Sequence, residues 1–152
     1  MTGFAARRLP AVSAGDERFQ LELPTNLARV GEAVEAVIDC CRVHGPLDGR
    51  ARFRLRTVAA EAIAHAMCYG NRHDPTRQVI VAVGGGLERI RITVTDEGDG
   101  FDPARVRDMA DFTEAECHEA TSGRGLFMIR RLAEQVGFNE RGNAIWMTLP
   151  RH

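Results

Sequence analysis

Glu61, Asp96 and the glycines that follow Ser122 are the residues whose types and spacing offer chemistry. In the run Glu61-Ala62-Ile63-Ala64-His65-Ala66-Met67-Cys68-Tyr69-Gly70-Asn71, residues Glu61, His65 and Cys68 recur at i, i+4 and i+7. On a helix they fall within an arc of roughly 60° beside an apolar stripe. That edge sets a carboxylate one turn from an imidazole, although Glu and His at this spacing also read as a solvated pair. The second segment is Asp96-Glu97-Gly98-Asp99-Gly100-Phe101-Asp102-Pro103, after a strand pattern. Glycines at alternate positions let the backbone approach a flat ligand, and a carboxylate at a strand end accepts a hydrogen bond from an exocyclic amine. Taken alone, it is equally an acidic turn. The third is Ser122-Gly123-Arg124-Gly125-Leu126-Phe127, a glycine-rich loop that opens a helix. Free N–H groups at a helix N-terminus, with the dipole behind them, form a phosphate site that needs no lysine, while an ordinary hinge and N-cap has the same composition.

In this order the three segments resemble the N, G1 and G2 boxes of the ATP-binding fold shared by gyrase, heat-shock protein 90, histidine kinases and mismatch-repair ATPases. Gly-Phe-Asp-Pro at 100 to 103, Gly-Arg-Gly-Leu-Phe-Met-Ile-Arg at 123 to 130 and Phe-Asn-Glu-Arg-Gly-Asn at 138 to 143 are similar to one branch, the bacterial anti-sigma-factor serine kinases. The resemblance covers residues 19 to 150. It implies that Asp96 reads the adenine amino group of ATP, with Gly98 and Gly100 shaping the pocket. Ser122, Gly123, Arg124, Gly125 and Leu126 would hold the phosphates, and Glu61 would be the general base that activates a serine hydroxyl on an anti-anti-sigma factor. It further implies sequestration of a sigma factor by partner switching, and a homodimer whose contact surfaces are the exposed side of the first helix and the strand at 19 to 23.

One position departs from the pattern. The family places Asn where this chain has His65, and the resemblance makes that residue a nucleotide contact and a ligand of Mg²⁺. Mg²⁺ prefers oxygen, and an imidazole nitrogen is a poor replacement. Three readings stay open: a kinase in which His65 touches phosphate directly or through water, a catalytically impaired regulator that acts only by binding proteins, or a softer metal such as Zn²⁺ held by His65, Cys68 and His73.

These residues need elements to hold them. Phe19-Gln20-Leu21-Glu22-Leu23 alternates as a half-buried strand does, and Pro24 ends it. Thr25 or Asn26 caps a helix with Leu27, Val30, Val34, Val37, Ile38 and Cys41 on one side, stopped at His44-Gly45-Pro46. A second helix is predicted over residues 48 to 68. Residues 79 to 83 form a short strand turned by Gly84-Gly85-Gly86, and Ile90, Ile92 and Val94 alternate in the next strand, which runs into Asp96. Residues 103 to 122 lack a period and predict a mobile lid. A helix opened by Gly123-Arg124-Gly125 carries Leu126, Ile129, Leu132, Ala133 and Val136, and a hairpin turned at Arg141-Gly142-Asn143 closes the chain. Residues 1–17 read as a flexible N-terminal arm and 18–152 as one domain. The fold class is α/β: a two-layer sandwich with a mixed, mostly antiparallel sheet and helices on one face.

Composition narrows the alternatives. Of 152 residues, 44% are hydrophobic and 27% charged, enough to build a core. All 20 basic side chains are arginine. The absence of lysine excludes a P-loop, a eukaryotic-type protein kinase and Schiff-base chemistry. A formal net charge of −1 argues against direct nucleic-acid binding. No apolar run reaches about 18 residues and the N-terminus lacks a signal-peptide core, so no membrane contact and a cytoplasmic location are expected. Cys40, Cys41, Cys68 and Cys117 show no CxxC pair and are expected as free thiols. The chain holds no room for the dimerisation helices of a histidine kinase or the transducer domain of a gyrase-type ATPase, which favours a stand-alone regulator.

Overall fold

Strict alternation along the strands settles which residues face the helices. The computed structural model of the chain describes residues 7–9, 18–43, 45–100 and 125–152. Six strands form one sheet: β1 (Arg7–Leu9), β2 (Arg18–Pro24), β3 (Gln78–Gly85), β4 (Arg89–Thr95), β5 (Gln135–Phe138) and β6 (Ala144–Pro150). Their spatial order is β1-β2-β3-β4-β6-β5, and each of these neighbouring pairs is antiparallel. Leu21 and Leu23, Val79, Val81 and Val83, Ile90, Ile92 and Val94, and Ile145, Met147 and Leu149 all point to the buried face. Three helices, α1 (Val30–Arg42), α2 (Gly49–His65) and α3 (Gly125–Leu132), join these residues in a single core through Val37, Ile38, Leu55, Ala59, Ile63, Leu126 and Ile129. The other face of the sheet carries Trp146, with the Arg91 guanidinium 4.6 Å above its ring.

Local chemistry starts the helices. Asn26 Oδ1 accepts from the Ala28 N–H (3.1 Å) and caps a 3₁₀ turn, Leu27–Arg29, that leads into α1. Asp48 Oδ1 accepts from the Ala51 N–H (2.7 Å) and caps α2. No helix of the described residues is long and apolar enough to cross a membrane.

The α/β sandwich agrees with the expectation, and several details differ. The α-helical part of the second helix ends at His65, and Ala66–Gly70 continue as a π turn. The third ends at Leu132, because Val136 belongs to β5, where pairing with Met147 replaces the helical period. Within the expected N-terminal arm, residues 7–9 pair with residues 18–20 of β2, so on that edge the strand at 19 to 23 is covered at Phe19 and Gln20, while Leu21, Glu22 and Leu23 have no strand partner there among the described residues. The predicted lid lies outside the described residues. Cys40 and Cys41 are buried free thiols whose pKa values burial pushes up to about 11 and about 12.

Candidate functional site

The π turn is the local device that builds the site. An Asn71 N–H bonded to Ala66 O (2.8 Å) closes a wider ring than an α-helix does, and π turns of this kind concentrate at functional sites. The chain then passes through Arg72 and His73 with φ of 51° and 61°, a left-handed pair that swings it toward β3. Asn71 is fully buried and clamps the turn. Its Nδ2 donates to Thr25 Oγ1 (2.9 Å) and Gln78 O (3.0 Å), and its Oδ1 accepts from the Glu97 N–H (2.8 Å). The end of α2 is thereby fastened to the loop that follows β4.

That loop carries Asp96. Its N–H donates to Asn143 O (2.9 Å) and its carbonyl accepts from Asn143 Nδ2 (3.2 Å). The carboxylate Oδ1 accepts from the Gly98 N–H (2.8 Å), which aims the side chain back at α2. Two glycines make the approach possible: a Cβ at Gly70 would overlap the Asp96 carboxylate, and one at Gly98 would overlap Gly70 O. Burial raises the Asp96 pKa, against the lowering pull of the Gly98 N–H.

Asp96 lines a cavity of about 190 Å³. Ala62, His65 and Tyr69 come from α2 and its π turn, Val94 and Ile145 from the sheet, and Gly100, Gly142 and Asn143 from the surrounding loops. A slot that is apolar on its walls and ends in one fixed carboxylate suits a flat heterocycle bearing an amino group.

Glu61 stands one helical turn before His65 and meets the start of α3: a Cβ on Gly125 would lie 2.8 Å from its Oε2. This oxygen is buried and has no hydrogen-bond partner among the described residues, and desolvation raises the Glu61 pKa. A carboxylate in that state is a stronger base than one in water. The His65 ring lies 4.5 Å from that of Tyr69, and burial lowers its pKa to about 4, so it is neutral at pH 7. The donor set does not fit Mg²⁺. At the position where the resemblance implies a metal ligand the chain presents an imidazole, which suits a hard cation poorly, and no three His, Cys, Asp or Glu side chains converge as a metal site among the described residues.

The structure thus brings His65, Asp96 and Gly100 to one cavity, with Gly98 behind Asp96 and Glu61 beside Gly125. Leu126 departs from the expected nucleotide contact in one respect: its side chain is buried in the core, which leaves only its backbone for such a role. Ser122, Gly123 and Arg124 lie outside the described residues. Sequence reasoning missed Asn71, Arg72, Phe138 and Asn143. The signal for Asn71 was available, since a polar residue directly after a glycine at a helix end is a candidate cap; Phe138 and Asn143 stand in the motif at 138 to 143, but that the β5–β6 hairpin brings them to the cavity is not legible from it.

A family model described as the histidine kinase-like ATPase domain matches residues 23–149. The chain is also similar to the serine-protein kinase RsbW of Bacillus subtilis (strain 168), at 28% identity over 98 residues, 62% of this chain and 61% of that protein. The matched part spans less than two thirds of the relative's length. With the matching model covering α1, α2 and α3, strands β3 to β6 and the Asp96 cavity, the chain belongs to the histidine kinase-like ATPase domain family.

Proposed function

We propose that this chain is an ATP-binding anti-sigma regulator that phosphorylates a serine of an anti-anti-sigma partner and, in the alternative state, sequesters a sigma factor. The observation that supports the reading is the Asp96 carboxylate fixed in the cavity by Gly70 and Gly98, with Glu61 one helical turn before the cavity-lining His65 and against the start of α3. In this reading Asp96 accepts a hydrogen bond from the adenine amino group, and the α3 N-terminus faces the phosphates. Glu61 takes the proton of the serine hydroxyl as its oxygen bonds to the γ-phosphorus and ADP leaves; phosphoryl transfer of this kind asks the protein mainly for positioning and charge stabilisation. Mg²⁺ would supply charge neutralisation in such chemistry, and His65 is the residue that does not fit it. The likeness to a serine-protein kinase supports the choice of acceptor. A cytoplasmic homodimer that contacts neither membrane nor nucleic acid completes the reading, with the exposed side of α1 and the strand at 19 to 23 as its contact surfaces.

His65 favours a second reading: a domain that binds nucleotide and protein partners without transferring phosphate. Labelled ATP, an anti-anti-sigma substrate and the purified chain separate the two. Phosphoserine formed by the wild type and lost in Glu61→Gln supports the kinase. No phosphoserine from the wild type, together with formation by His65→Asn, supports the impaired regulator.

A further inference from the structure

The site has a direction set by one helix. Gly70 abuts the Asp96 carboxylate and Glu61 abuts Gly125. Residues 61 and 65 are about 6 Å apart along α2, which rises 1.5 Å per residue, and the π turn carries the chain on to Gly70. His65 lies between Glu61 and Gly70 and lines the cavity. A nucleotide with its base at Asp96 and its phosphates toward α3 therefore passes His65 midway.

The group at that point decides what can accompany the phosphates. Mg²⁺ holds oxygen ligands at about 2.0–2.1 Å in a near-ideal octahedron and gives up its waters reluctantly. An amide or carboxylate oxygen there would share it with the phosphates; an imidazole would not. A neutral imidazole carries one N–H, which donates to a phosphate oxygen directly. The two arrangements exclude each other, because one side chain presents an acceptor to a cation and the other a donor to an anion. The positive end of the α3 dipole lies on the same side and favours the anion.

We propose that this site takes adenine nucleotide without a divalent cation, with His65 donating a hydrogen bond to a phosphate oxygen in the place where a metal-ligand oxygen would otherwise stand. The inference rests on the nucleotide-binding reading above and names the ligand as the metal-free nucleotide anion.

Calorimetry on the whole chain with ADP as probe, once in excess EDTA and once in excess Mg²⁺, tests it. The wild type is expected to show dissociation constants that agree within about twofold in the two buffers, while His65→Asn and His65→Gln, which restore an amide oxygen, bind about tenfold more tightly with Mg²⁺ than with EDTA. ADP binding by the wild type that requires Mg²⁺ overturns the inference by itself, with no variant needed. Metal-independent binding by the wild type and by both folded variants overturns the assignment to His65. Absence of ADP binding in either buffer instead removes the nucleotide reading on which the inference rests, so the two failures are distinct.

Discussion

Asp96 and Gly70 meet so closely that each limits the other, and this makes the pair separable by mutation. The Asp96 carboxylate is held by the Gly98 N–H rather than by a cation, so Asp96→Asn keeps the shape and removes the charge-assisted acceptor. Loss of such a bond to a ligand amine is worth about 1.5–3 kcal/mol, or roughly ten- to a hundredfold in ADP affinity, with little change in thermal midpoint. Gly70→Ala pushes the carboxylate away and should give the same loss of affinity; Gly98→Ala drives its methyl into Gly70 O, which is backbone, and should lower the midpoint as well. Retained ADP affinity in Asp96→Asn by calorimetry would refute this account of the cavity. His65 gives a second prediction at this scale. The unfolded chain protonates its histidine near pH 6.5, whereas the buried ring resists until about pH 4. Between those values the unfolded state binds the extra proton, so His65 costs stability as pH falls through the window, by an amount of the order of 2 kcal/mol. Glu61, one turn away, acts in the opposite sense because burial raises its pKa, and Asp96 across the cavity shares that direction. Urea midpoints measured at pH 7.5 and pH 5 for the wild type and His65→Asn isolate the histidine: the fall on acidification should be smaller in the variant, and an equal fall would assign it elsewhere.

At the scale of elements, the turn that ends α2 is held more by one side chain than by its own helical bonds. Asn71 satisfies two acceptors and one donor on three different segments. Replacing it with Leu removes the partner of the part-buried Gln78 carbonyl and Glu97 N–H and leaves the Thr25 hydroxyl only its bond to Arg77 O, a loss of about 1–3 kcal/mol. Because the Glu97 bond also fixes the Asp96 loop, Asn71→Leu should lower the denaturant midpoint and weaken ADP binding together, unlike Asp96→Asn; an unchanged midpoint would show that the clamp is dispensable. This turn also shows where reading from sequence stops. The second helix was legible because Leu55, Val58, Ala59, Ala62 and Ile63 repeat at its period, and the strands because Ile90, Ile92 and Val94 alternate. The shift to a π turn leaves no trace in that period, since Ala66 and Met67 are apolar and buried in either geometry. Val136 misled for the opposite reason: its spacing continued the α3 stripe, while pairing with Met147 decided its place. Glu61, His65 and Asp96 were legible as candidates from residue type and order, but that Gly70 meets the Asp96 carboxylate depends on packing between elements separated by a strand pair, which no local pattern encodes.

For the whole molecule, the sheet puts distance between what binds and what braces. The cavity opens where β4 ends and β6 begins, at Thr95, Asp96 and Ala144, and Arg151 sits at the other end of those same strands. Arg151 is 2% exposed, unusual for a guanidinium. Its Nε donates to Gly86 O (2.7 Å) and its Nη1 to Cys41 O (2.7 Å) and Gly45 O (3.4 Å), so one side chain joins the β3–β4 turn, the end of α1 and the last strand. Desolvation lowers its pKa, yet an arginine stays protonated, and carbonyl dipoles at a helix C-terminus stabilise a cation there. Lysine could reach only part of this fan of acceptors, which gives the choice of arginine a physical consequence at this position. Arg151→Met should therefore cost about 3 kcal/mol in denaturant unfolding, because three carbonyls lose their donor in a buried place, and Arg151→Lys should recover only part of that loss. Neither change touches the cavity, so the ADP dissociation constant of the folded protein should stay within about twofold of wild type. Together with Asp96→Asn, which should lose affinity and keep stability, the pair forms a double dissociation. If Arg151→Met weakened ADP binding at temperatures where it is fully folded, the two ends of the sheet would be coupled, and the division between a braced end and a binding end would have to be given up.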